Sequence, residues 1–258
     1  MKSTDLKEGP PESTFLTLVL KTCAGLGGGI VGTLVLLVIF LLGASIIQPT
    51  LSGVAQEEIH PLFIFVFVAM IFLASLGSNV VGSLLFAFVQ HEKYTRVTSA
   101  LYQIFIVNIV IVAIMAPIYL VVIGLGLEIT AFVAGIQVII SALTSVMVLE
   151  IIGNLRYALV GVYSVLFSIL FSTGVIFIFY QFTGRDLVLL LFITLPTIWM
   201  FLGFISSIVE MLYTWMYRLY GVDFLASTTD FGKDYGEVEP EDLPLPEDVA
   251  GGEFLGKE

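Results

Sequence analysis

Polar positions are so sparse along residues 1–221 that the intervals between them predict the fold. No charged residue falls between Lys21 and Glu57, Arg96 and Glu128, Glu128 and Glu150, Arg156 and Arg185, or Asp186 and Glu210, and neither charge nor histidine falls between His60 and His91. Each interval meets the roughly 20 residues that cross about 30 Å of hydrocarbon at 1.5 Å rise per residue. The pattern predicts helices near 22–47, 61–89, 99–126, 129–149, 157–182 and 187–209. These runs are apolar on every face and lack the two-residue alternation of barrel strands. The predicted fold is an all-α polytopic membrane bundle of six transmembrane helices. The expected organisation is a cytoplasmic N-terminal segment over 1–21, the bundle over 22–221 and an acidic tail over 222–258.

The connections set the topology. Residues 124–128, 153–156 and 183–186 leave no room for an extramembrane domain, and the largest outer loop is 48–60. Alternating the loops puts Lys2, Lys7, Lys21, Lys93, Arg96, Arg156 and Arg218 on one side and Arg185 on the other. Seven basic residues against one predict that both termini are cytoplasmic. Tyr213, Trp215, Tyr217 and Tyr220 then follow the sixth span at that interface, where amphipathic rings anchor helix ends. The first apolar run exceeds a signal-peptide core and is expected to remain as an anchor. Residues 14–20 read equally well as a short interfacial helix capped by Ser13 or as an earlier start of the first span.

Composition agrees: 58% of the 258 residues are hydrophobic and 12% charged, with mean hydropathy +1.06. That is far from the quarter or so of charged residues in soluble domains. Of the net charge of −11, eleven acids against Lys233 and Lys257 after Val222 contribute −9. With Pro240, Pro244 and Pro246 and only scattered apolar residues, that segment is expected to be disordered. Interleaved Phe224, Phe231, Tyr235 and Phe254 suit ordering on a basic cytoplasmic protein surface, since anionic lipid would repel the segment. The alternative is a solvating tail without a partner. The single cysteine, Cys23, excludes an intramolecular disulfide.

Small residues mark candidate packing faces. The first helix carries Gly25, Gly28, Gly29 and Gly32, the second Ala74, Ser78 and Gly82, and the fifth Ser164, Ser168 and Ser172. Such registers let helix backbones approach closely in lipid. Three uses are open for the glycines: packing within the chain, homo-oligomerisation, or a helix break that offers backbone to a ligand. The serine stripe reads as a packing seam whose hydroxyls bond back to the helix, or as the wall of a polar path.

Asn79 lies about ten residues from one end of the second helix and Asn108 about nine residues into the third, hence both roughly 14 Å deep. Equal depth on an antiparallel pair predicts an Asn79–Asn108 hydrogen bond. Gln137 has no evident partner in the sequence. Pro117 and Pro196 fall inside spans and are expected to bend them.

Charged side chains inside a membrane usually mark ion paths, and none is expected near the midplane. Glu150 and Glu210 are read as interface carboxylates closing the fourth and sixth helices, solvated and paired with Arg156 and Arg218. Glu57, Glu58 and His60 match no metal-ligand spacing, and His91 with Glu92 is equally weak. No catalytic, metal, cofactor or nucleic-acid motif is present. The expectation is a non-enzymatic subunit or scaffold whose short loops fit a prokaryotic cytoplasmic (inner) membrane. A small-solute transporter lined by helices 1, 2, 3 and 5 is the alternative; a lipid-directed enzyme working through Glu150, Glu210 or the His91 loop is the third reading.

Overall fold

A computed structural model describes residues 13–45, 47, 61–153, 157–182 and 187–220. Six helices follow one another: α1 Phe15–Leu42, α2 Pro61–Val89, α3 Val97–Val122 with a short 3-10 turn Ile123–Leu125, α4 Leu127–Gly153, α5 Ala158–Phe182 and α6 Leu187–Tyr220. All six are long and apolar enough to cross a membrane, and the chain is a multi-pass integral membrane protein. The expected tail from 222 onward, the outer loop 48–60 and Arg156 lie outside the described residues.

Successive helices are neighbours, and α1 closes the ring against α6. Helix α4 also leans inward onto α2 and α6. Large apolar side chains such as Leu42, Phe65, Leu120, Phe132, Leu170 and Phe182 point outward. In water that surface would be untenable; in lipid it is the solvated one. The interior holds Trp199, Phe86, Phe63, Ile71 and Leu195.

The largest departures from the expected ranges are at the start of α1 and the end of α6. Helix α1 starts at Phe15, as the reading with an earlier start of the first span has it, and is capped by Thr14, whose hydroxyl accepts from the Thr17 amide at 3.2 Å. One continuous helix therefore replaces a separate interfacial segment. Helix α6 runs on to Tyr220, eleven residues past the expected end at 209. In both cases a charged residue, Lys21 or Glu210, had marked the limit of the span. Helix α3 continues through Pro117 and α6 through Pro196.

The glycines of α1 explain the closeness of the packing. A Cβ at Gly28 would lie 2.5 Å from the Cα of Gly82 on α2, and one at Gly29 would lie 2.5 Å from the Cα of Pro196 on α6. Gly25 meets the Trp199 carbonyl, and Gly32 packs on Ser78 and the Ala74 carbonyl. Gly82 in turn leaves room for the Trp199 ring. Helix α1 is thus clamped between α2 and α6, and its glycine faces are covered within the chain.

Candidate functional site: a buried charge cluster and an amide cluster

The turn after α2 is fixed by backbone bonds from the Lys93 and Tyr94 amides to the Gln90 carbonyl, at 2.9 and 3.2 Å. The Thr95 amide donates to the Gly153 carbonyl at 3.1 Å, which ties this turn to the end of α4. The Tyr94 ring lies against Gly153, where a Cβ would come within 2.9 Å of it. Lys93 is thereby aimed into the bundle.

Four charges meet there. Lys21 Nζ on α1 donates to Glu210 Oε1 on α6 at 2.9 Å, and Lys93 Nζ reaches the same oxygen at 2.7 Å. Lys93 also lies 2.9 and 2.8 Å from the two oxygens of Glu150 on α4. Tyr94 Oη donates to Glu150 Oε1 at 2.5 Å, and Gln90 Nε2 donates to Glu210 Oε2 at 2.9 Å. Lys21 additionally sits 5.4 Å from the centre of the Phe86 ring, a favourable cation–π distance. Two lysines and two glutamates leave no net charge. Relative exposure is 0% for Lys21, 7% for Lys93, 1% for Glu150 and 5% for Glu210.

Arg156, the partner expected for Glu150, lies outside the described residues, but the reading of Glu150 and Glu210 as solvated surface carboxylates is corrected. Their partners are lysines, and they are buried. Phe15 and Leu16 on α1, Phe88 on α2, Ile151 on α4, Leu159 on α5 and Leu212 on α6 are exposed at or beyond the same level. The cluster is buried beneath the α2–α3 turn, whose His91, Glu92 and Arg96 are exposed. Burial alone would push the Lys93 ammonium's pKa down; the Glu150 and Glu210 carboxylates outweigh it and hold the value well above 10.5. Burial, and then the Glu150 charge, pushes the Tyr94 phenol well above 10.0.

A second cluster lies deeper, about 16 Å from the first along α2 if Asn79 is measured from Gln90. Asn79 Nδ2 donates to Asn108 Oδ1 at 3.0 Å and to Ser141 Oγ at 2.7 Å. Ser141 Oγ donates to Asn108 Oδ1 at 2.5 Å. Asn108 Nδ2 donates to the Ile104 carbonyl at 2.8 Å and to Ser145 Oγ at 2.9 Å. Two asparagines thus join α2, α3 and α4. Towards the other end, Tyr119 Oη donates to Gln137 Oε1 at 2.7 Å, giving Gln137 the partner the sequence did not reveal.

The serines of α5 are buried, and each hydroxyl bonds its own helix: Ser164 to the Gly161 carbonyl at 2.7 Å, Ser168 to Ser164 at 2.6 Å and Ser172 to Ile169 at 3.0 Å. Gly161 receives the Glu150 side chain, whose Cβ would be 2.7 Å from a Cβ there. The small-residue sets Ala74, Ser78 and Gly82 on α2 and Ser164 to Ser172 on α5 therefore face other helices of the same chain.

Sequence reasoning missed Lys21, Lys93, Tyr94, Gln90, Ser141 and Ser145. A signal existed for the first two: two lysines and two glutamates all fall at helix ends on one side of the bundle. His91 and Glu92 stay exposed in the α2–α3 turn. Among the described residues, no three His, Cys, Asp or Glu side chains converge as metal ligands would. No family model, curated protein or solved structure matches the chain.

Proposed function

We propose that this chain is a non-enzymatic subunit or scaffold of a membrane assembly, with both termini cytoplasmic and residues 222–258 engaging a cytoplasmic protein with a basic surface. The observation that carries this reading is the closure of the charge cluster. Lys21, Lys93, Glu150 and Glu210 neutralise one another, where an ion path or an acid–base site needs a charge free to exchange with a ligand. Closure of this kind ties α1, α4, α6 and the α2–α3 turn into one arrangement.

The glycine faces of α1 are covered by α2 and α6, so they do not supply a surface for lateral assembly. That leaves the eleven acids of the tail as the most distinctive feature available to a partner. The seven-to-one distribution of basic residues supports the orientation. Short connections fit a prokaryotic cytoplasmic membrane.

The test is purification from the native membrane in mild detergent, comparing the full chain with one truncated after Gly221. Proteins that co-elute with the full chain and vanish with the tail support the proposal. A lone particle in both preparations overturns it.

A further inference from the structure

Hydroxyls within the apolar helices of this protein generally bond a carbonyl of their own helix. Thr22 bonds Leu18 at 2.7 Å, Thr144 bonds Ile140 at 2.7 Å, Thr194 bonds Leu190 at 2.7 Å and Ser207 bonds Gly203 at 2.8 Å, alongside the three serines of α5. Back-bonding is the ordinary way for a serine to be satisfied in lipid. Helix α2 breaks the pattern. Ser75 Oγ, Ser78 Oγ and Ser83 Oγ have no hydrogen-bond partner in the protein, although the residues are 0–1% exposed. Asn79 Oδ1 on the same helix is also unpartnered, and so is Gln90 Oε1.

The Asn79 amide cannot turn round to cure this. Its Nδ2 serves both Asn108 Oδ1 and Ser141 Oγ, and a flip would set oxygen against oxygen at Asn108. The spacing of the unpartnered groups is regular. Ser75, Asn79 and Ser83 are separated by four residues each on α2, and Gln90 follows seven later, just past its end, where its backbone amide still bonds the Phe86 carbonyl at 3.0 Å, so all four share one stripe. From Ser75 to Gln90 the stripe rises about 22 Å, and at its end Gln90 Nε2 holds Glu210 Oε2.

An unpartnered polar group away from water costs several kcal/mol in hydrocarbon, and four on one stripe point to one common ligand. The steps of about 6 Å from Ser75 to Asn79 and on to Ser83, and of about 10 Å from Ser83 to Gln90, are too long for these side chains to bond one another directly, but chains of one to three water molecules bridge them. Hydroxyls that both donate and accept, and amide oxygens that accept, are the partners a buried water takes.

We infer that the Ser75–Asn79–Ser83–Gln90 stripe of α2 is a water-binding file running from the membrane interior to the Lys21–Lys93–Glu150–Glu210 cluster. Water in the file gives the otherwise enclosed Glu210 a hydrogen-bonded link to the middle of the membrane.

Water-edited solid-state NMR of the full chain in lipid bilayers tests it. Magnetisation from water should reach Ser75, Asn79 and Ser83 several-fold faster than Ser164 and Ser168, which lie at comparable burial on α5. Build-up on α2 as slow as on α5 would overturn the inference. Ser75→Ala and Ser83→Ala give a second readout through the sign of the change in Tm. In a hydrated file each loses a water contact and lowers Tm; in a dry one each removes an unsatisfied hydroxyl and raises it. A rise in both variants would overturn the inference as well.

Discussion

Lys21 and Glu210 stand 189 residues apart in the chain and 2.9 Å apart in the bundle. Their ion pair joins the first helix to the last, and Glu210 shares the same oxygen with Lys93. Breaking a buried pair by removing one partner costs about 3–5 kcal/mol, because the other charge is left uncompensated. Glu210→Gln strands two lysines against Glu150 alone. Lys21→Met/Glu210→Gln restores neutrality with Lys93 and Glu150 still paired. We expect the single variant to have the lower Tm in detergent and the double variant to recover much of the loss. A double variant less stable than the single one would contradict this account of the cluster.

The clamp on α1 makes a contrast between two glycines. At Gly82 a methyl group would run into the Trp199 ring, whereas at Gly174 on α5 it would meet nothing within 4 Å. Overpacking costs about 1–3 kcal/mol, while replacing an exposed helical glycine by alanine gains roughly 0.5–1 kcal/mol. Gly82→Ala should therefore lower Tm, and Gly174→Ala should leave it unchanged or raise it. Equal effects from the two would show that α1, α2 and α6 are not packed this closely.

The boundaries of α2 and α5 were legible within a residue because long apolar intervals leave a helix little choice of where to stop. The end of α6 was misread, and the start of α1 was left between two readings, for a shared reason. A charge reads as the edge of the hydrocarbon, and Lys21 and Glu210 escape that rule only by neutralising each other, which local sequence does not display. The Asn79–Asn108 bond was legible, since equal depth on neighbouring antiparallel helices is a matter of counting residues. Ser141 and Ser145 were not, because which face of α4 turns inward depends on α2 and α3 together. The unpartnered serines of α2 were equally hidden: in sequence they look like those of α5, and only the hydroxyl geometry separates them.

The amide cluster predicts a measurable coupling. Asn79 and Asn108 bond each other and share Ser141, so replacing one also disturbs the partners of the other. Hydrogen bonds of this kind within membrane helices are worth about 0.6–1.7 kcal/mol in double-mutant cycles. The cycle of Asn79→Ala and Asn108→Ala should show a coupling of that size, read from unfolding in mixed micelles. Strict additivity would mean that the two side chains do not bond in the bilayer.

Alkali should unfold the protein through the α2–α3 turn. Lys93 and Tyr94 both have folded pKa values well above their ordinary 10.5 and 10.0, so the folded state keeps protons that the unfolded chain releases. Where the native state binds more protons, stability falls as pH rises. Their contribution is complete below the unfolded values and is lost as pH climbs towards the folded ones. Melts followed by tryptophan fluorescence should therefore give a Tm that these groups leave unchanged between about pH 7 and pH 9.5 and that declines above about pH 10. Tyr94→Phe cannot lose a phenolic proton and should soften the decline, at the expense of one hydrogen bond to Glu150. A decline as steep in Tyr94→Phe as in the parent would remove Tyr94 from the alkaline transition and leave it to Lys93.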